Sequence, residues 1–161
     1  MFRIGFSRDI HRLEKNGRPF VLGGVSIPHD RGNVSHSDGD CLFHAIGEAL
    51  LGTLSLGDLG HFFPDNDARY KDMDSALILR ECFLKIKERG YAIQNLDCVI
   101  VLEKPRLKAY LGQMRKKISS ILETEEENVS VKAQTNEKCG EAGQGEAVIC
   151  FASVLVKKIQ R

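Results

Sequence analysis

The chain has 161 residues, 42% of them hydrophobic and 28% charged, with a formal net charge of +1, proportions ordinary for a soluble globular protein. So balanced a charge excludes a bulk electrostatic attraction to nucleic acid or to an anionic membrane, and any phosphate binding has to come from a local site. The length fits a single domain, residues 1–161, able to bury roughly 70% of its unfolded surface without disulfide staples.

Five cysteines (Cys41, Cys82, Cys98, Cys139 and Cys150) are scattered and form no C-x-x-C pair. That pattern predicts reduced thiols and a cytoplasmic protein. The start, Met1 to Gly5, lacks the charged region and apolar core of a secretory signal. The longest apolar stretch, residues 148–156, falls well short of the ~20 residues that a membrane helix needs. Neither nucleic acid nor a membrane is an expected partner.

Phe2, Ile4 and Phe6 alternate with more polar neighbours and predict a strand with one buried face. Asp9 and His11 follow directly. A second extended stretch covers residues 20–27, interrupted by Gly23-Gly24, and the polar segment 29–39 reads as a loop. Asp40 can cap a helix with Phe43, Ile46 and Leu50 on its apolar side, ending near Gly52. Residues 53–72 form a long irregular stretch, a length that in compact domains is often functional.

Asp74 caps a second predicted helix, carrying Ala76, Leu79, Phe83 and Ile86 on one face and stopped by Gly90. Residues 96–102 are strand-like. Pro105 is expected to open a third helix, with Leu107, Leu111, Met114, Ile118 and Ile121 at helical spacing. Residues 129–134 and 148–157 are two more strands, separated by a glycine-rich loop, and the acidic run 123–127 reads as an exposed turn. The order of elements predicts an α+β fold with helices on one face of a mixed sheet. The last strand is apolar on both sides, so the uncovered face is expected to meet a neighbour.

Four short segments could carry chemistry. Asp9 and His11, two apart on an extended chain, point to the same side and could share a metal ion. By itself a D-x-H is more often a solvated surface feature. His44 lies one turn beyond the Asp40 cap and could either be satisfied by that carboxylate or complete an O/N/N set with Asp9 and His11. Three protein ligands leave an open position on a tetrahedral zinc, the pattern of a catalytic site. The acidic side chains Asp58, Asp65 and Asp67 could accept hydrogen bonds from ribose hydroxyls, and Asp65 and Asp67 could equally cap the next turn. Glu137, beside Thr135 and Asn136, could hold a hard divalent cation or merely end a strand.

Together these segments resemble the 2-C-methyl-D-erythritol 2,4-cyclodiphosphate synthases along nearly the whole chain. The resemblance rests on D-x-H-R-L at 9–13, G-G-V-x-I-P at 23–28 and H-S-D-G-D-x-x-x-H at 36–44. It continues in A-L-L-G at 49–52, L-G-D-x-G at 56–60, F-P-D-x-D at 63–67 and V-K-A-x-T-x-E-K at 131–138. The nine-residue histidine motif is the most specific. Departures from the family pattern include Glu48 in place of an aspartate and Asn136 in place of a threonine.

The resemblance implies a homotrimer, its sheets packed around a three-fold axis, with active sites between subunits. It implies a small-molecule substrate linked to cytidine diphosphate, 4-diphosphocytidyl-2-C-methyl-D-erythritol 2-phosphate, cyclised with release of CMP in the non-mevalonate isoprenoid route. Asp9, His11 and His44 then correspond to the ligands of one zinc per subunit. Glu137 corresponds to the ligand of a second divalent ion, magnesium or manganese. His36 and Thr135 correspond to the groups that steady the transition state, and Ser37 to a phosphate contact. Asp58, Leu59 and Gly60, with Phe63, Pro64, Asp65, Asn66 and Asp67, correspond to substrate and ribose contacts. Leu102, Pro105, Arg106, Leu107 and Lys108, with Gln134 and Thr135, correspond to the cytosine wall from the adjoining subunit, and Asn136 to a further substrate contact. Two other readings remain on the residues alone: a metal-dependent phosphodiesterase that uses water instead of the internal phosphate, and a non-catalytic binding trimer.

Overall fold

The structure is a computed structural model, and it describes residues 1–15, 17–35, 37–64 and 72–159. The first strand, β1 (Phe2–Lys15), is twice as long as the Phe2-Ile4-Phe6 alternation suggests and carries Asp9 and His11 within it rather than after it. The hairpin of β2 (Val21–Leu22) and β3 (Val25–Ser26) turns at Gly23-Gly24. The predicted loop 29–39 contains a further strand, β4 (Arg31–Val34), which extends the far end of β1 by pairing Leu13 with Asn33. That strand escapes sequence reading because four residues including a glycine and an asparagine carry no alternation.

Helix α1 (Cys41–Thr53) starts at the Asp40 cap, whose side chain accepts from Phe43 N at 3.1 Å. A short helix, α2 (Leu59–Phe62), interrupts the irregular stretch, and α3 (Ser75–Glu88) begins at Asp74 as expected. Strand β5 (Tyr91–Val101) follows. Pro105 does not open the third helix: Lys104-Pro105 is a cis peptide inside a turn, and α4 (Leu111–Ile121) begins six residues later. Leu107 is buried from that turn and mimics the helical spacing of the residues beyond it. Strand β6 (Val129–Gln134), a short helix α5 (Gly140–Gly143) and β7 (Ala147–Lys158) complete the chain.

Five strands form one sheet in the order β4-β1-β7-β5-β6, with β5 and β6 parallel and the other neighbours antiparallel. The register sets Asp9 opposite Cys150 and Cys150 opposite Ile100. β1, β5 and β6 therefore run the same way, and the residues that follow them emerge at one end of the sheet.

Helix α1 lies on the sheet and is buried almost all round, with Leu42, Phe43, Ile46, Leu50 and Leu51 at 0–1% exposure. Its backbone reaches β1 at Gly5, where a Cβ would stand 1.9 Å from the Ala49 carbonyl oxygen. The glycine thus sets how closely the helix approaches the strand that bears Asp9 and His11. Truncating a fully buried leucine such as Leu50 to alanine would cost about 2–5 kcal/mol.

Among the described residues, no helix covers the opposite face of β1. Ile4 and Phe6 remain 70% and 66% exposed, Phe2 and Ile10 are also open, and Phe6 stacks on Phe151 of the neighbouring strand. No helix among the described residues is long and apolar enough to cross a membrane.

Candidate metal centre

Residues 9 and 11 of a strand share a face, and here it is the face under α1, where both are half-buried. His44, the fourth residue of α1, sits above them. Asp9 Oδ2 lies 3.0 Å from His11 Nε2 and 3.5 Å from His44 Nδ1, and the two ring nitrogens are 3.3 Å apart. The three side chains, each offering one atom within 4.8 Å of the others, form a metal-competent cluster.

The other ring nitrogens determine what faces inward. His11 Nδ1 donates to the Gly39 carbonyl oxygen at 2.7 Å. The neutral ring then turns a lone pair on Nε2 toward Asp9. Asp9 Oδ2 is buried and, with the lone pairs so turned, receives no hydrogen bond. Converging lone pairs around a buried oxygen are unfavourable unless a proton or a cation sits among them. This donor set, one carboxylate and two imidazoles with a position left open, fits a catalytic zinc.

The loop before α1 holds these groups in place. The buried Asp40 carboxylate accepts from Gly23 N at 2.9 Å and Gly24 N at 2.6 Å as well as from Phe43 N. It ties the β2-β3 hairpin to the start of α1, while burial pushes its pKa up against those three donors. Ser37 Oγ stands 3.3 Å from His44 Nε2 and accepts from Gly39 N at 3.1 Å. Two residues without a place in the sequence reading also belong here. Ser75, fully buried at the start of α3, has its hydroxyl 2.8 Å from His44 Nε2 and hydrogen-bonded to Asp38 Oδ1. Asp38 lies within the recognised histidine motif, which could have drawn attention to it; Ser75 follows the Asp74 cap and carries no local signal.

The remaining candidates divide into two groups. Asp58 caps α2 through its bond from His61 N at 2.9 Å, a role that the sequence reading offers only for Asp65 and Asp67. Leu59 and Gly60 lie on α2, where a Cβ at Gly60 would stand 3.5 Å from Asp58 Oδ1, and Phe63 and Pro64 follow half-buried. Glu48, one turn beyond His44, has its pKa raised by burial and then by Asp58 and Asp9, so α1 brings it near both. His36, Asp65, Asn66 and Asp67 lie outside the described residues.

The second group sits at the ends of β5 and β6. Leu102 N donates to Gln134 O at 3.0 Å, holding the turn with Pro105, Arg106, Leu107 and Lys108 against the end of β6. Thr135 Oγ1 donates to Glu137 Oε1 at 3.2 Å, and Asn136 Nδ2 to the Cys139 carbonyl oxygen at 2.7 Å. Thr135, Glu137, Arg106 and Lys108 are exposed. β6 is three strands away from β1, about 14 Å at the usual spacing. Within one chain, then, Glu137 and Thr135 lie at the same end of the sheet as Asp9, His11 and His44 but well to one side.

The YgbB family model matches residues 2–157. This chain belongs to the YgbB family. Relatives named 2-C-methyl-D-erythritol 2,4-cyclodiphosphate synthase agree over nearly their whole length. The protein from Carboxydothermus hydrogenoformans is 48% identical, covering 99% of this chain and 97% of its own, and that from Bacillus cereus is 46% identical, covering 98% and 99%. Members of the family with these names are enzymes, and the chain is one of that group.

Solved structures of the family superimpose closely. IspF from Plasmodium falciparum in a CDP complex matches with a TM-score of 0.87 and 35% identity over 99% of this chain and 97% of that one. The bifunctional IspDF from Campylobacter jejuni gives 0.94 and 34%, with this chain spanning 43% of its length.

Proposed function

We propose that the protein converts 4-diphosphocytidyl-2-C-methyl-D-erythritol 2-phosphate into 2-C-methyl-D-erythritol 2,4-cyclodiphosphate and CMP, as a cytoplasmic enzyme of the non-mevalonate isoprenoid route. The observation that carries this is the convergence of Asp9 Oδ2, His11 Nε2 and His44 Nδ1 in a chain of the YgbB family. An oxygen of the 2-phosphate attacks the β-phosphorus, and the bond from that phosphorus to the oxygen shared with the α-phosphorus breaks. CMP leaves with the electron pair on that oxygen.

Both reacting phosphates are anionic, so the reaction needs charge neutralisation and alignment more than proton transfer. Zinc held by Asp9, His11 and His44, and magnesium or manganese held by Glu137, would supply that neutralisation when bound. His36 and Thr135 are assigned to the charge that builds on the transferring phosphoryl oxygens, and Ser37 to a phosphate oxygen. Asp58, Leu59 and Gly60, followed by Phe63 to Asp67, are assigned to the ribose and erythritol hydroxyls.

Leu102, Pro105, Arg106, Leu107, Lys108, Gln134 and Thr135 are assigned to the cytidine, and Asn136 to a further substrate contact. The lateral distance between β1 and β6 argues that one chain does not bring its own Glu137 and nucleotide wall to its own zinc site. A homotrimer resolves this by placing the end of one subunit's β6 beside the next subunit's β1. The exposed Ile4 and Phe6 would supply the apolar contact.

Incubation with the cytidine substrate and analysis of the products tests the proposal. CMP with the cyclic diphosphate is the expected result. CMP with an open diphosphate would make the protein a phosphodiesterase, and absence of turnover with zinc and magnesium present would leave a binding protein.

A further inference from the structure

We propose that Ser75 is a positioning residue of the metal centre, its hydroxyl linking the Asp38 carboxylate to the His44 ring and fixing the tautomer that turns Nδ1 toward Asp9 and His11. This rests on the reading that Asp9, His11 and His44 hold zinc. Ser75 is the first residue of α3, an element that contributes no ligand to the cluster. Asp74 caps that helix through Ala76 N at 2.8 Å. The Ser75 backbone N–H, one of the donors that a helix start leaves unpaired, goes to Asp38 Oδ2 at 3.2 Å. Two bonds from one residue thus bind the same carboxylate, since the Ser75 hydroxyl also reaches Asp38 Oδ1.

A hydroxyl has a single proton. An ionised carboxylate only accepts, and Asp38 Oδ1 already accepts from Asp40 N at 3.1 Å. The Ser75 proton therefore goes to Asp38, and a lone pair of its oxygen faces His44 Nε2 at 2.8 Å. Nε2 must then carry the ring proton. A neutral imidazole protonated at Nε2 has its lone pair on Nδ1, the nitrogen that stands 3.3 Å from His11 Nε2 and 3.5 Å from Asp9 Oδ2. Ser37 Oγ, at 3.3 Å, is a longer and weaker second acceptor for the same proton.

The arrangement has a counterpart on the other ring. His11 is held in the opposite tautomer by the Gly39 carbonyl oxygen. A backbone acceptor cannot be lost by a side-chain substitution, but the Ser75 relay can. Partners of this kind, fixing ring orientation and basicity, typically change metal affinity by about 10–100-fold when removed. Ser75 is fully buried, whereas Asp38 and His44 are half-buried, so it is the linking hydroxyl that is screened from bulk water.

The test compares zinc affinity, by chelator competition on the full chain, in the parent, Ser75→Ala and Ser75→Thr. Ser75→Ala should weaken zinc binding by about 10–100-fold, and Ser75→Thr, which keeps the hydroxyl, should recover most of the loss. In the zinc-loaded parent the His44 Nε2 proton should give a slowly exchanging downfield ring N–H resonance that disappears in Ser75→Ala. Parent-like zinc affinity in Ser75→Ala, or an equal loss in the alanine and threonine variants, would overturn the relay. If Ser75→Ala does not fold, Asp38→Asn takes its place: weaker zinc binding supports the relay, and unchanged binding overturns it. Failure of the parent itself to bind zinc would instead remove the three-ligand reading on which the relay stands.

Discussion

His11 donates from Nδ1 to the Gly39 carbonyl oxygen over 2.7 Å, so the histidine motif loop holds a ring that belongs to the first strand. Gly39 can do this because its φ is +79°, and a Cβ there would stand 2.6 Å from the Cβ of Asn33. Gly39→Ala should therefore destabilise the protein by about 1–2 kcal/mol from backbone conformation alone, with the Asn33 clash added. It should also weaken zinc binding, because the carbonyl that orients His11 would shift. Thermal unfolding with and without zinc checks both effects, and a larger loss in the zinc-loaded state is the expected sign of the second.

Asp9→Ala and His44→Ala should each lose bound zinc and nearly all turnover while the sheet and helices persist. Two remaining ligands do not hold zinc well against water. Metal analysis after gel filtration measures this; full zinc occupancy in either variant would remove that residue from the centre.

Without metal, Asp9 and His11 answer each other's charge. Burial opposes the charged form of each. For Asp9, a proton on the inward ring nitrogens takes the place of a cation, and the hydrogen bonds and charge that the His11 and His44 rings then offer outweigh burial and lower the carboxyl well below the usual range. For His11, the Asp9 carboxylate outweighs burial and raises the ring. The lowered Asp9 pKa contributes stability that is full above about pH 3.9 and lost as pH falls through the folded value. The raised His11 pKa contributes stability that is full below about pH 6.5 and lost as pH rises through the folded value. The metal-free protein should thus gain most from the pair between about pH 4 and 6.5, whereas zinc affinity should rise with pH as His11 gives up its proton. Melting of the metal-free parent and of Asp9→Asn across that range tests the assignment: the parent's decline above neutrality should be absent in the variant.

Glu137→Gln should retain zinc yet lose the response to added magnesium or manganese. Glu137 sits at a positive φ of 50° and presents an exposed carboxylate beside the Thr135 hydroxyl, suited to a hard ion. Activity titrated with each ion in parent and variant gives the answer, and identical curves would exclude Glu137 as that ligand.

In solution the protein should have three times its chain mass of 18.0 kDa. Phe6→Glu should reduce that mass, because Phe6 is 66% exposed on the open sheet face and its replacement costs the isolated chain little. Light scattering on both proteins checks this, and a fully active monomeric parent would contradict a site shared between subunits.

Much of the site is legible in the sequence because its members lie in short, dense motifs. Asp9 and His11 share a face by strand geometry alone, and Asp40 marks the start of α1 by its capping chemistry. The turn at Pro105 is harder to read. Leu107 continues the spacing of Leu111 and Met114, so an apolar count cannot separate a buried turn residue from the first turn of a helix. β4 is equally silent: it is a strand only because Leu13 and its neighbours on β1 offer it hydrogen bonds.

The sequence by itself determined the family, the α+β layering and the three side chains that cluster, Asp9, His11 and His44, because each rests on local pattern or on residues a few positions apart. Only the tertiary structure decided which nitrogen of each histidine faces the cluster. That choice depends on Gly39, 28 residues from His11, and on Ser75, 31 residues from His44. Hydrogen bonds of such range are created by packing α1 on β1 and α3 on α1, and no spacing rule along the chain encodes them.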